Sequence, residues 1–453
     1  MAERHSRLLV LAVGAAVAVA FADSSIVVLA LPALYTDFHA SLIGVSWVIT
    51  SYNLVVFVAA FALVPFTRRL HVREVTRVGM ALFTAGSIGC AASWELSALI
   101  GFRCVQGLGG ALLLAGALPI LGGLLGGSRR GAQVWAATGT FGAAVGPALG
   151  GVLTQLADWR AIFIFQAPIA AVAFFATFDS RVHELPVEQP VRRRPGAAIA
   201  NAGLALVFGG LVGALFLSVL LVITVWERRP IAGALIVSAI PAAAFVVRPL
   251  ASRLGRREAV SAGALLLALG LVGLALLPTI SNTIMAIALA FCGAGLGLAV
   301  PVLTADSMDP DRAPLRSGTV TVGWRHLGLV ASVALIAPLL THDLDANKQP
   351  ATQAGVRVIL DGNINLTDKV PISLQMRDLF ESAQRGEIPN LAKPFDDRGA
   401  QHDANLRRVR DQLLDTLRGV VTTSFRWSFL LSALFALLVL VPARRLRKRE
   451  APA

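Results

Sequence analysis

The sequence predicts an all-α protein that crosses a membrane many times, built as two bundles of six helices with a long loop outside the membrane between the eleventh and twelfth. Three observations carry that fold class: apolar stretches of span length, arginines gathered in every second connection, and motifs that recur between the two halves. Of 453 residues 56% are hydrophobic and only 15% charged, and the mean hydropathy is +0.70. A soluble domain could not cover itself with so little polar surface.

A helix needs about 20 mostly apolar residues to cross the hydrocarbon core. Six such stretches run over 8–31, 44–66, 77–93, 96–121, 131–156 and 161–178. Six more run over 202–226, 231–250, 260–278, 283–304, 318–340 and 421–441, which makes twelve. The first is too long for the core of a signal peptide and carries Asp23 in its middle, so it is expected to stay as a helix.

A net charge of +13 would suit a nucleic-acid partner if the arginines formed a patch, but they follow the topology instead. One side collects Arg4 and Arg7, then Arg68, Arg69, Arg73 and Arg77, then Arg129 and Arg130, Arg181 and Arg192 to Arg194, Arg253, Arg256 and Arg257, Arg312 and Arg316, and the run from Arg444 to Arg449. The short loops of the other side offer Arg160, Arg228 and Arg229. Positive charge is retained on the cytoplasmic side of short loops, so both termini are expected in the cytoplasm, the protein in the cell (inner) membrane, and 341–420 outside it. Nucleic acid is not an expected partner. The bilayer is.

The halves repeat each other. Pro65, Arg69, Leu70, Arg73 and Glu74 recur in order as Pro249, Arg253, Leu254, Arg257 and Glu258, and Cys104, Gly107, Leu108 and Gly109 as Cys292, Gly295, Leu296 and Gly297. The expected organisation is therefore a first bundle over 1–178, a cytoplasmic linker over 179–196 with three prolines and four arginines, and a second bundle over 197–453 that includes the 341–420 loop. Parallel halves with a substrate site between them near the midplane are a transporter plan.

Charges inside the hydrocarbon are where function is sought. Asp23 is the one acid well inside an expected span. Its ionised form is costly there, so it is a candidate to take up and release a proton, or else a structural partner of another helix. Arg103 stays charged and must face protein or water; it could set the charge of Asp23 if folding brings them together, or simply tie backbone carbonyls. Asp306 sits nearer an interface, and Arg248 reads as a snorkelling cation. Candidate substrate contacts are Trp47, Tyr52, Asn53, Trp135, Gln166, Phe216 and Arg325, the last beside His326, each of them open to a packing or interfacial reading.

Gly142, Gly146 and Gly150 recur every four residues and bare one face of the fifth helix, while Pro147 removes a hydrogen bond and invites a bend. That face is expected either to pack within a bundle or to form a moving seam between the halves. Cys90, Cys104 and Cys292 fall within spans as small packing residues. The loop at 341–420 reads as a small folded cap: a hairpin around Asp361-Gly362, then helical spacing of Leu406, Val409, Leu413 and Leu417. It could receive an extracytoplasmic partner, guide a lipid-like compound or be only an elaborated loop. No phosphate-cradling loop, paired metal ligands or nucleophile set is present, so no enzyme activity, cofactor or metal is expected.

These residues resemble the major facilitator superfamily, and within it the drug:proton antiporters. The run from Asp23 to Pro32 resembles their first helix, and Ser46 to Tyr52 the opening of their second. Arg103, Gln106, Gly107 and Gly109 match the helix-four arginine motif; Gly139, Gly142, Gly146, Pro147, Gly150 and Gly151 match the antiporter motif of helix five. Asp158 to Phe163 and Trp324 to Gly328 resemble the starts of helix six and the core of helix eleven. The cytoplasmic loop motif keeps Arg69, Arg73, Arg253, Gly255 and Arg257 but has Arg68 where the family carries an Asp. The resemblance implies a proton-coupled exporter of small hydrophobic or amphipathic compounds that works by alternating access. Alternatives are a lipid or glycolipid translocator of the same fold and a non-transporting receptor or scaffold.

Overall fold

The computed structural model describes residues 2–40, 42–183, 195–277, 280–382, 393–398, 400 and 403–446. Most of the expected linker, 184–194, and the basic run from 447 lie outside the described residues. The described residues form helices and turns without strands.

Eleven helices make up the bundles before the cap. They are α1 (Ala2–Ile26), α2 (Leu42–Leu63), α3 (Val72–Ala91), α4 (Leu96–Leu124), α5 (Ser128–Leu156), α6 (Arg160–Phe174), α7 (Pro195–Val212), α8 (Ala239–Arg253, preceded in the same span by Pro230–Val237), α9 (Arg256–Ala275), α10 (Asn282–Ser307) and α11 (Pro314–Ala346). The cap contributes α12 (Lys348–Asp361), α13 (Leu366–Ser382) and α14 (Ala404–Ser424), and α15 (Arg426–Leu438) re-enters the second bundle. Pro32 has no amide to give Val28, so α1 tightens through Val27–Ala30 before Leu31–Asp37 completes its span.

Among the described residues ten helices are long and apolar enough to cross a membrane, eleven when the bent α5 counts as one. The one expected stretch outside that count, the third, forms α3, a 20-residue helix with Arg73, Glu74 and Arg77 in its first two turns. It still packs along α4 inside the first bundle.

The sequence repeat reappears as packing. A Cβ on Gly79 or Gly86 of α3 would strike the α4 backbone at Leu112 or Gln106, and one on Gly263 or Gly270 of α9 would strike α10 at Gly295 or Ala288. Each half thus joins its third and fourth helices through glycines at matching positions.

The glycine seam of α5 faces α1, its own bundle. A Cβ on Gly142 would land on the Ala18 carbonyl, one on Gly150 on the Ile26 carbonyl, and one on Gly146 on Ser25 Oγ. The reading of a sliding seam between halves is thereby corrected for these three; the small residues let two helices of one bundle touch backbone to backbone. Gly151 alone turns to the other half, with Ala234 Cβ 2.8 Å and the Pro230 carbonyl 2.9 Å from where its Cβ would be. Pro147 lies just past a 44° bend between Ser128–Ala143 and Val145–Leu156. It cannot donate to the Ala143 carbonyl, and Ser25 Oγ of α1 does so instead at 3.1 Å.

The halves meet at both ends. On the face bearing both described chain ends, Phe61 of α2 packs edge-on to Trp324 of α11 at 6.2 Å, and Arg129 Nε bonds Asp311 at 2.9 Å. On the cap face Gln155 Oε1 accepts from the Ile231 amide at 2.8 Å.

The cap has its own core of Ala351, Ile359, Ile372, Met376, Phe395, Leu406, Val409, Leu413 and Leu417. The expected hairpin is absent. Ala351, Gly355 and Ile359 are buried at helical spacing, and Gly362 ends α12 instead of turning a strand pair. Leu406, Val409, Leu413 and Leu417 do line the buried face of α14. Asn347 Nδ2 to Ser424 Oγ at 3.0 Å and Trp226 Nε1 to Thr422 Oγ1 at 3.2 Å tie the cap to the bundle.

Gly142→Val is expected to cost about 1–3 kcal/mol by forcing α1 and α5 apart. At Gly101 nothing lies within 4 Å of an added Cβ, so Gly101→Ala should be neutral or gain up to about 1 kcal/mol. Thermal unfolding in detergent compares them; equal melting of the two variants would contradict the backbone contact.

Candidate functional site

Five helices converge on one buried carboxylate. Asp23 projects from the last turn of α1, midway along the span Ser6–Asp37, and is fully buried, the one acid in that state among the described residues. Arg103 of α4, also fully buried, pairs with its Oδ2 through Nη1. The sequence asked only whether folding would bring these two together, and it does.

Neutral donors complete the shell. Gln166 Nε2 of α6 donates to Asp23 Oδ1 at 2.7 Å, and Gln106 Nε2 lies 3.3 Å from the same oxygen. Gln106 sits one turn beyond Arg103 and accepts from its Nη1 at 2.6 Å, while its own amide donates to Gln166 Oε1 at 2.7 Å and Ser87 Oγ of α3 at 2.9 Å. Arg103 Nε donates to the Val48 carbonyl of α2 at 2.8 Å, and the guanidinium lies 4.4 Å from the centroid of Tyr52. Only Nη2 of Arg103 is buried without a partner. Removing two charges from water costs several kcal/mol each, and geometry of this completeness is what offsets it.

Beside this cluster, across Phe21 and Tyr52, lies a second polar centre. Tyr52 donates its hydroxyl to the Ala20 carbonyl at 2.8 Å, and its ring stands 6.4 Å from His326 of α11. Phe21, two residues before Asp23, packs on Trp135 at 5.1 Å and on His326 at 6.4 Å. A Cβ on Gly139 would strike the Phe21 ring, so that glycine makes room for the ring. His326 Nδ1 lies 2.8 Å from the Val322 carbonyl, an acceptor only, so Nδ1 carries the proton and Nε2 is left unpartnered. Arg325 faces a small void between the halves that Ser24, Ser25, Asn53 and Phe216 also line.

The expected substrate contacts therefore separate. Asn53, Phe216 and Arg325 reach the space between the halves. Gln166 belongs to the Asp23 cluster, Tyr52 is the wall between the two centres, and Trp135 is buried with Nε1 on the Leu114 carbonyl at 2.9 Å. Trp47 is 46% exposed on α2, where its interfacial reading is the one that fits. Sequence reasoning missed Ser87 and Phe21; only Phe21, two residues before the acid, carried a signal.

On the face of the chain ends, Arg69 and Arg253 are exposed and Gly255 precedes α9 as its N-cap. Arg73 bonds Glu74 at 3.0 Å, within its own helix. Where the loop carries Arg68 in place of an acid, cross-half contacts come from Arg129 to Asp311 and from Arg316 Nη1 to the Val64 carbonyl at 3.3 Å. Asp306 pairs with Arg256 at 3.0 Å.

The chain matches the profile of the Major Facilitator Superfamily over residues 13–333. It belongs to that superfamily. It is 24% identical over 426 residues to the Multidrug resistance protein Stp of Mycobacterium tuberculosis, covering 78% of this chain and 79% of that one. It is 34% identical over 176 residues to the Methylenomycin A resistance protein of Bacillus subtilis, covering 38% and 37%. Its fold resembles a bacterial homologue of the human lysosomal transporter Spinster, with a TM-score of 0.56 at 14% identity and 99% of both chains covered. It also resembles the xylose transporter XylE from E. coli, with a TM-score of 0.55 at 13% identity over 72% of this chain and 90% of that one. Membership in the superfamily makes this chain a transporter in the membrane.

Arg103→Met strands a carboxylate in the bundle and should cost about 3–5 kcal/mol, whereas adding Asp23→Leu to Arg103→Met should recover most of that loss. Unfolding of the four proteins of this cycle in one detergent gives the coupling; additive single-site losses would mean the pair does not act as one unit.

Proposed function

We propose that this transporter is a proton-coupled exporter of small hydrophobic or amphipathic compounds, with both termini in the cytoplasm of the cell and the cap outside. The observation that carries the reading is Asp23, a carboxylate in mid-span held by one arginine and two amides. Such a group has two states of different charge and different grip on its neighbours.

With Asp23 ionised, α1, α4 and α6 are tied together by charge-assisted bonds. A proton on the carboxylate cancels the attraction to Arg103 and turns one acceptor oxygen into a donor. The change reaches the other half through α5, which lies against α1 along the glycine seam, receives Ser25 at the Ala143 carbonyl and touches the Pro230–Val237 segment ahead of α8 at Gly151. Proton uptake thus loosens the tie that fixes α1, and α1 and α5 move against α8 as the halves rock. The similarity to drug-resistance proteins of Mycobacterium tuberculosis and Bacillus subtilis supports export of small organic compounds. The placement of arginines supports the orientation.

Everted membrane vesicles given an acid interior should accumulate a fluorescent amphiphile when they contain the wild-type chain. Asp23→Asn should bring accumulation to the level of empty vesicles, while Trp47→Ala should stay within about twofold of wild type. Gradient-driven accumulation that persists in Asp23→Asn would overturn the assignment of the coupling group.

A further inference from the structure

Arg325 of α11 is a second buried cation that the Asp23 cluster does not use. Its guanidinium carbon lies 3.9 Å from the centroid of Phe21 on α1 and 4.0 Å from that of Phe208 on α7, so an aromatic ring covers each face. The residue is 8% exposed, its Nε is buried without a partner, and no described carboxylate lies within ion-pair distance. Arg103, equally deep, has Asp23. Arg325 has only rings.

A ring on each face offsets part of the desolvation of a guanidinium, roughly 0.5–2 kcal/mol apiece, and leaves its in-plane donors unsatisfied. Those donors can be met only along the edge of the sandwich, and Arg325 borders a void of about 30 Å³. Around it stand the hydroxyls of Ser24 and Ser25 and the amide of Asn53, with Leu211, Leu215 and Val333 closing the apolar sides. Phe216 is shared with an apolar cavity of about 230 Å³ toward the cap, bounded by Leu220, Leu340 and Leu344. A charged head and an apolar body would therefore find complementary surfaces in sequence along one path.

The opposite end agrees in sign. A cavity of about 1270 Å³ on the face of the chain ends is lined by Arg129, Arg248, Arg256, Arg312 and Arg445 against Asp306, Asp309 and Asp311. Arg129 and Arg256 are paired with Asp311 and Asp306; the arginines outnumber the acids, and a cleft of positive surplus concentrates anions.

We propose that Arg325 anchors the negatively charged head of the transported compound, so that the substrate class is organic anions: a single carboxylate or sulfonate on an apolar body. This rests on the export reading and narrows it from amphipathic compounds in general to acids. Cations of the same shape are rejected by like charge in a dry site.

The test uses purified full-length protein in lipid nanodiscs without any gradient, and three probes with one apolar body: pyrenebutyrate, pyrenebutanol and pyrenebutyl-trimethylammonium. Wild-type protein should bind the carboxylate about tenfold or more tighter than the alcohol and the cation. Arg325→Gln should reduce that preference to within about twofold while leaving the alcohol unchanged, and Arg325→Lys should keep part of it. Because Arg325→Gln removes an unpaired buried charge, its melting temperature should not fall, which separates loss of the anchor from loss of the fold. The proposal is overturned if wild type binds the alcohol or the cation as tightly as the acid, if it binds none of the three, or if Arg325→Gln keeps the preference. Since no proton gradient enters, the result stands apart from whether Asp23 couples transport.

Discussion

The Asp23–Arg103 pair is the constraint on which the first bundle depends. Two opposite charges in a span are tolerable only when each finds its partner, and satisfying these two draws in Val48 and Tyr52 of α2, Ser87 of α3, Gln106 of α4 and Gln166 of α6. Five helices are thereby fixed around one point near mid-span. Among the described residues the second bundle has no equivalent. The repeat that aligns Cys104 with Cys292 places Phe291 opposite Arg103 and Ala294 opposite Gln106, so that half is held by apolar packing and glycine contacts at Gly263, Gly270 and Gly328. Duplicated architecture thus carries divided chemistry: an acid–base pair in one half, an unpaired cation on α11 of the other.

Phe21 and Tyr52 join the two. Phe21 sits two residues before the acid and covers one face of Arg325; Tyr52 carries Arg103 on its ring and turns its edge to His326. A shift of α1 on a change of charge at Asp23, as proposed above, would carry Phe21 with it and disturb its contact with Arg325. Coupling between an ion and a substrate requires a two-state element that both sites bias, and here α1 touches both sites directly.

Periodicity and charge are local signals, and what they encode was legible: the run of apolar helices, the side on which arginines gather, the amphipathic face of α14 and the isolated acid of α1. What was not legible depended on partners. The glycines of α5 announced a close contact but not with which helix, because bare backbone carries no address; the structure gives them to α1 and leaves only Gly151 for the other half. Asp361-Gly362 signals a chain reversal whether a strand or a helix precedes it, and burial of Ala351, Gly355 and Ile359 decided for the helix. The third stretch forms its helix yet begins with three charges. The rings on Arg325 were hidden for the same reason as the glycine partner: Phe21 and Phe208 come from α1 and α7, far from α11 in the chain.

The central claim, that Asp23 takes up a proton inside the bundle, is tested most directly by infrared difference spectroscopy of the full-length protein in lipid as the pH is lowered. A protonated carboxyl in a dry site has its own C=O stretch, separate from the bands of solvent-exposed acids. The account predicts that this band rises on acidification in the wild type and is missing in Asp23→Asn. A band of equal strength in both proteins, or none in the wild type at any pH at which it remains folded, would contradict it.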